Sequence, residues 1–245
     1  MIGVFDSGIG GLSVLRAIRT RSPQADIVYF GDTKNAPYGN KSEEEVKKLS
    51  IENIQRLFSE GATEIVSACN SISIALDAPL LSTLSLSEHN FIEMVEPTVS
   101  AIKERKERSI LLCATNVTIH SGMYQRSFAG LGKQVVTLPM PELVKYIESG
   151  KDKEDIKTLL HSYFKTVDLS KHELILLGCT HYPLVLDLFE EVLEELHASV
   201  LVYNPSAAVA AEVAIKFNCE GGGKTTLLFS KETEQTKKTQ KSLFI

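Results

Sequence analysis

Glu64–Ser71, EIVSACNS, and Leu174–His181, LILLGCTH, are the two stretches whose reading decides the fold. Each is an apolar run closed by a small residue, a cysteine and a polar pair. Short apolar runs rich in β-branched residues read as strands buried on both faces, as in parallel sheets covered by helices. Similar runs stand at 2–5, 26–30, 64–68, 108–114, 134–138, 173–177 and 199–202, separated by amphipathic helical stretches. This alternation predicts an α/β fold with parallel-type sheets flanked by helices. The best-marked helix opens at Ser42, with Glu45 placed to reach back in a capping box. It continues through Val46, Leu49, Asn53, Ile54 and Leu57 to a stop at Gly61.

The spacing carries an approximate repeat. Cys69 lies 63 residues after Asp6, and Cys179 lies 64 after Thr115, each at the end of an expected strand. Two similar halves follow from this. Ligands of open parallel sheets bind beyond the carboxyl ends of the strands, so two facing halves would put both cysteines across one ligand in the cleft between them. The join is expected near Pro97, and the chain from about Ser206 is expected to return to the first half. The resulting division is 1–95 with 207–245 as one α/β domain and 96–206 as the other. The polar segment Lys231–Lys241 reads as a solvated terminal helix or a frayed tail.

A chain of 245 residues with 43% hydrophobic and 23% charged content can bury a full core. The formal charge of -5 and the lack of a basic stretch interleaved with aromatics argue against nucleic acid and for a small-molecule partner. No apolar run approaches membrane-spanning length and the N-terminus lacks a signal-peptide pattern, so a cytoplasmic location is expected. The four cysteines, Cys69, Cys113, Cys179 and Cys219, form no CxxC pair, which removes the usual zinc and dithiol signatures and leaves free thiols.

Three segments carry chemistry. In Asp6–Ser13, DSGIGGLS, a strand end and a glycine turn lead into a helix whose first N–H groups could hold an anion. Ser13 stands where the dinucleotide fingerprint needs glycine and the Walker lysine is missing, so a carboxylate fits better than a pyrophosphate. A tight turn alone explains these glycines equally well. The long loop GDTKNAPYGNKS, 31–42, offers Tyr38 as a donor and Gly39 as a point of close backbone approach; read alone, it is an exposed turn. A buried cysteine is ordinarily a small hydrophobe, and Cys113 and Cys219 keep that reading. Cys69 and Cys179 differ in their company, Asn70 and Ser71 after one, Thr180 and His181 after the other. A thiol near pKa 8.5 needs such a histidine or a helix N-terminus to react at neutral pH.

Taken in order, GVFDSGIGGLSVL, DTKNAPYG, ACNS, EPTVSAI, ATNVTIHSGMY, PELVKYIESG and LGCTHYPL resemble the glutamate racemases of the aspartate/glutamate racemase superfamily over nearly the whole chain. No further ligands stand at the tight spacing a metal site needs, so no metal is expected. The resemblance implies two α/β domains with the active site between them, no cofactor, and production of D-glutamate for peptidoglycan. It implies Cys69 and Cys179 as the opposed acid/base thiols, Asp6 assisting the first, His181 the second, and Glu148 as a further catalytic carboxylate. It also places Asp6, Ser7, Pro37, Tyr38, Gly39, Asn70, Ser71, Thr115, Thr118, Thr180 and His181 around the substrate. Two departures stand out: Ser71 replaces the usual threonine, and Asn204 replaces an aspartate in YNPSAAVA. A homodimer is a candidate assembly. Competing readings are a racemase of aspartate or another small acid, and a non-catalytic amino-acid-binding protein, which would need neither thiol.

Overall fold

A computed structural model describes residues 1–73 and 75–244, with side chains through 241. The first half of the chain runs β1 (Ile2–Asp6), α1 (Leu12–Arg21), β2 (Ile27–Gly31), α2 (Glu43–Ser59), β3 (Glu64–Ser67), α3 (Ala78–Thr83), β4 (Phe91–Ile92) and α4 (Val95–Lys103). The second runs β5 (Ser109–Ala114), α5 (Asn116–Ser121), α6 (Met123–Ala129), β6 (Gln134–Pro139), α7 (Pro141–Glu148), α8 (Lys153–Phe164), β7 (Leu174–Gly178), α9 (Leu186–Glu195) and β8 (Leu201–Tyr203). The chain closes with α10 (Ser206–Lys216), β9 (Thr225–Phe229) and α11 (Glu234–Phe244).

The strands form two all-parallel sheets, ordered β4-β3-β1-β2-β9 and β6-β5-β7-β8. Read from the other edge, the second is β8-β7-β5-β6, the order β4-β3-β1-β2 of the first shifted by four, with β9 as an added edge strand of the first, so the repeat seen in the spacing is a repeat of topology. β1 and β7 are buried at every position because helices cover both faces. In each sheet the thiol-bearing strand end lies beside the opening strand of its half, with Phe5 opposite Ser67 and Ala114 opposite Gly178. The register therefore brings Asp6 and Cys69 to one crevice edge, and Thr115 and Cys179 to another. One apolar cluster runs through both halves, joining Leu12, Leu15 and Val66 to Leu111, Leu177 and Val209.

Three expectations change. Ser42 caps α2 by accepting the Glu45 N–H, but the Glu45 carboxylate pairs with Lys41 rather than reaching back to the cap. β4 and β9 were not expected as strands; β9 lies along the outer edge of β2. The terminal segment is neither frayed nor fully solvated: α11 buries Thr236 and Thr239 and packs against α1, with Gln235 close to Gly150. No helix among the described residues is long and apolar enough to cross a membrane.

Candidate active site

Both cysteine-bearing turns open on one small, nearly closed cavity of about 10 Å³. Its walls include Ser7 from the β1 turn, Pro37, Tyr38 and Gly39 from the loop after β2, Cys69, Asn70 and Ser71 after β3, Thr115 after β5, and Cys179, Thr180 and His181 after β7. Asp6, Glu148 and Thr118 stand one layer behind. Asp6 accepts from the Thr180 hydroxyl at 3.1 Å, Glu148 meets His181 at 2.6 Å, and Thr118 lies 3.1 Å from Thr115. Every candidate residue thus lines the cavity or touches one that does.

The two thiols have different partners. Cys69 is buried, and its thiol donates to the Ser7 hydroxyl at 3.6 Å. Burial first, then the nearby Asp6 charge, pushes this thiol well above its ordinary range, against the smaller effect of the Ser7 bond. Cys179 lies 3.8 Å from Nδ1 of His181, whose Nε2 meets Glu148 Oε1 at 2.6 Å. Burial alone would lower the imidazole, but the hydrogen bonds and negative charge of Cys179 and Glu148 outweigh it and hold His181 well above its usual value. Burial raises Glu148, yet its bonds to His181 and to the Ile9 N–H hold it below the ordinary carboxylate range. These two shifts describe an ion pair, imidazolium and carboxylate, behind Cys179. Asp6 is fully buried and raised by desolvation, with His181 and the N–H groups of Gly8 and Gly11 opposing.

The glycine turn has a role its sequence did not disclose. Ile9 N–H donates to Glu148 Oε1 at 3.1 Å and Gly8 N–H to Asp6 at 2.9 Å, so the anions held at this turn are two of the chain's own carboxylates. A Cβ on Gly10 would stand 2.5 Å from His181 Nδ1 and 2.7 Å from Thr180 Oγ1; its absence lets the β7 turn close onto the β1 turn. Tyr38 also behaves differently from the expected free donor. Its hydroxyl donates to Asp32 at 2.5 Å and accepts from Asn53 at 3.1 Å, so its proton is already committed within the protein.

Ser71 and Thr115 meet at 3.2 Å across the seam, and the Asn70 carbonyl accepts from Tyr124 at 2.6 Å while its buried Nδ2 has no partner among the described residues. Val144, Gly178 and the supporting Tyr124 were not singled out by sequence. A helix-periodic valine carries no chemical signal, and Gly178 is needed because a Cβ there would meet Leu112 at 2.6 Å. Asn204 lies outside the cavity and accepts from the Ser206 N–H at the start of α10. Cys113 is fully buried in the apolar core, and Cys219 is half-buried beside the Val213 carbonyl.

Residues 11–213 match the model of the Asp/Glu/Hydantoin racemase family. A glutamate racemase of Bifidobacterium animalis subsp. lactis is 34% identical over 228 residues, 88% of this chain and 84% of the relative. The crystal structure of glutamate racemase from Thermus thermophilus, in complex with beta-chloro-D-alanine, is 32% identical and superposes with a TM-score of 0.82 over 100% of this chain and 93% of that one. That of Aquifex pyrophilus glutamate racemase is 31% identical, with a TM-score of 0.81 over 99% and 94%. The match covers both thiol-bearing turns and most of the two sheets, and the chain belongs to the Asp/Glu/Hydantoin racemase family.

Proposed function

We propose that this chain interconverts L- and D-glutamate, with Cys69 and Cys179 exchanging protons on opposite faces of the α-carbon, and that the D-glutamate serves peptidoglycan synthesis. The observation that carries the reading is a single cavity lined by two thiols with different proton partners. In one direction a thiolate takes the α-proton and becomes a thiol, while the other thiol gives its proton to the opposite face and becomes a thiolate. Charge and atoms balance, and the enzyme is left in the mirror protonation state for the reverse reaction. The raised Cys69 thiol suits the donating role, and the His181 imidazolium is placed to return a proton to Cys179 Sγ. The carbanion needs donors facing the carboxylate as charge builds there, and Asn70, Ser7, Ser71 and Thr115, which line the cavity, carry an amide and hydroxyls that can supply them.

The sequence carries no motif for a nucleotide, pyridoxal or metal cofactor, and the two-thiol route calls for none. Residues 1–95 with 207–245 would form one domain and 96–206 the other, the cavity lying at their seam. The testing experiment follows circular dichroism of L-glutamate, D-glutamate and L-aspartate with the purified protein and no additive. Decay of both glutamate signals to zero, with aspartate unchanged, is expected. Turnover of aspartate alone, or of no acid, would overturn the reading.

A further inference from the structure

We propose that Tyr124 is a positioning residue which, from α6 of the second half, turns the amide of first-half Asn70 so that its N–H groups face a carboxylate of the substrate. The inference rests on the glutamate reading above. The two orientations of an asparagine amide have nearly the same shape, and only its hydrogen bonds choose between them. Here the Tyr124 hydroxyl donates to Asn70 Oδ1 at 2.6 Å, holding the amide with its oxygen toward α6. The other end is left with a buried Nδ2 that no described group accepts from, on a residue lining the thiol cavity. A donor so placed is unmatched until an acceptor enters the cavity. Glutamate brings two carboxylates.

Tyr124 is itself fixed. It is fully buried, its ring stacks on Phe128 with centroids 6.1 Å apart and planes 12° apart, and Thr98 of α4 stands against its oxygen. Without the hydroxyl, the amide is free to turn over and present Oδ1, which repels a carboxylate. Tyr124 does not touch the reacting atoms, so its effect should fall on binding.

The test is a double-mutant cycle of Tyr124→Phe and Asn70→Ala, read as KM and kcat for both enantiomers and as the glutamate Kd by calorimetry. Tyr124→Phe should raise KM and Kd on the order of fivefold, the size of one net hydrogen bond, with kcat changed less than about twofold. In the Asn70→Ala background the same change should add nothing. Independent, multiplying losses in the double variant, or a loss confined to kcat, would overturn the proposal. Should Tyr124→Phe fail to fold, Asn70→Asp keeps an acceptor for Tyr124 and turns an oxygen toward the ligand; an unchanged Kd for glutamate would then contradict the idea. A wild-type protein that binds but does not turn over glutamate would refute the function and leave the calorimetric cycle to judge Tyr124.

Discussion

Cys69 and Cys179 follow equivalent strands in two sheets of the same strand order, yet their surroundings differ in kind. On the first wall the thiol is bonded to a neutral hydroxyl and to the Ile72 N–H, with the charge of a buried acid nearby. On the second wall the thiol faces an imidazole that is ion-paired to a carboxylate. The repeated topology fixes where the sulfurs lie; contacts that cross the seam decide which polar groups surround each. Glu148 reaches Ile9, Thr180 reaches Asp6 and Thr115 reaches Ser71, so each wall is completed by the other half. On the proposed route a reaction that runs both ways needs a base on each face, and the two unlike walls would each supply one.

The largest expected effect removes a wall altogether. Cys69→Ala and Cys179→Ala should each lower racemisation by about a thousandfold or more while circular dichroism shows an intact fold, because loss of either acid/base group stops the cycle. Near wild-type turnover in either variant would end the two-thiol account.

Smaller losses should separate the walls. His181→Asn and Asp6→Asn should each slow turnover by about ten- to a hundredfold. The equilibrium ratio of enantiomers cannot change, so the asymmetry must appear in α-deuterium isotope effects measured separately from L- and D-glutamate. The direction that His181→Asn makes more isotope-sensitive should be the one that Asp6→Asn leaves less so. Equal responses in both directions would make both residues general supports of the pocket.

The ion pair gives a pH test with a definite sign. His181 is held above its ordinary value, so its stabilising charge is present below the unfolded histidine pKa and lost as pH rises through the folded one. Glu148 is depressed, so its contribution is present above the unfolded glutamate pKa and lost as pH falls through the folded one. Glu148→Gln removes one support of the imidazolium. The alkaline limb of kcat/KM that depends on His181 should then move to lower pH by about one or more. A limb that stays in place would show that Glu148 does not hold the proton on His181.

The smallest effect concerns Ser71. Ser71→Thr restores a methyl beside Thr115 and keeps the hydroxyl, so KM should change by less than about threefold, with kcat retained. A loss of tenfold or more would show that the seam at this point is packed for serine.

The core of this comparison was legible in the sequence. EIVSACNS and LILLGCTH gave both strands and both thiols, and the near-equal spacings gave the repeated sheets. The differences between the walls were not legible, because they arise from side chains distant in sequence. Glu148 precedes His181 by 33 residues, and Ile9 lies 139 from Glu148, so resemblance could supply the carboxylate but not its partners. β4 has only two residues, too short for any period, and β9 is half-buried at a sheet edge within a polar stretch. Thr236 and Thr239 are small polar residues buried by packing, which a composition-based reading assigns to solvent.

The central claim is that the proton leaving one face of the α-carbon goes to one sulfur while a different proton arrives from the other. The most direct measurement is racemisation of L-glutamate in deuterium oxide, stopped in the first few per cent of conversion and examined by NMR or mass spectrometry. Two thiols that exchange with solvent should give D-glutamate carrying deuterium at the α-carbon, while the unreacted L-glutamate still carries protium. The same experiment from D-glutamate should give the mirror result. Product that largely retains the substrate's own α-hydrogen would contradict the account.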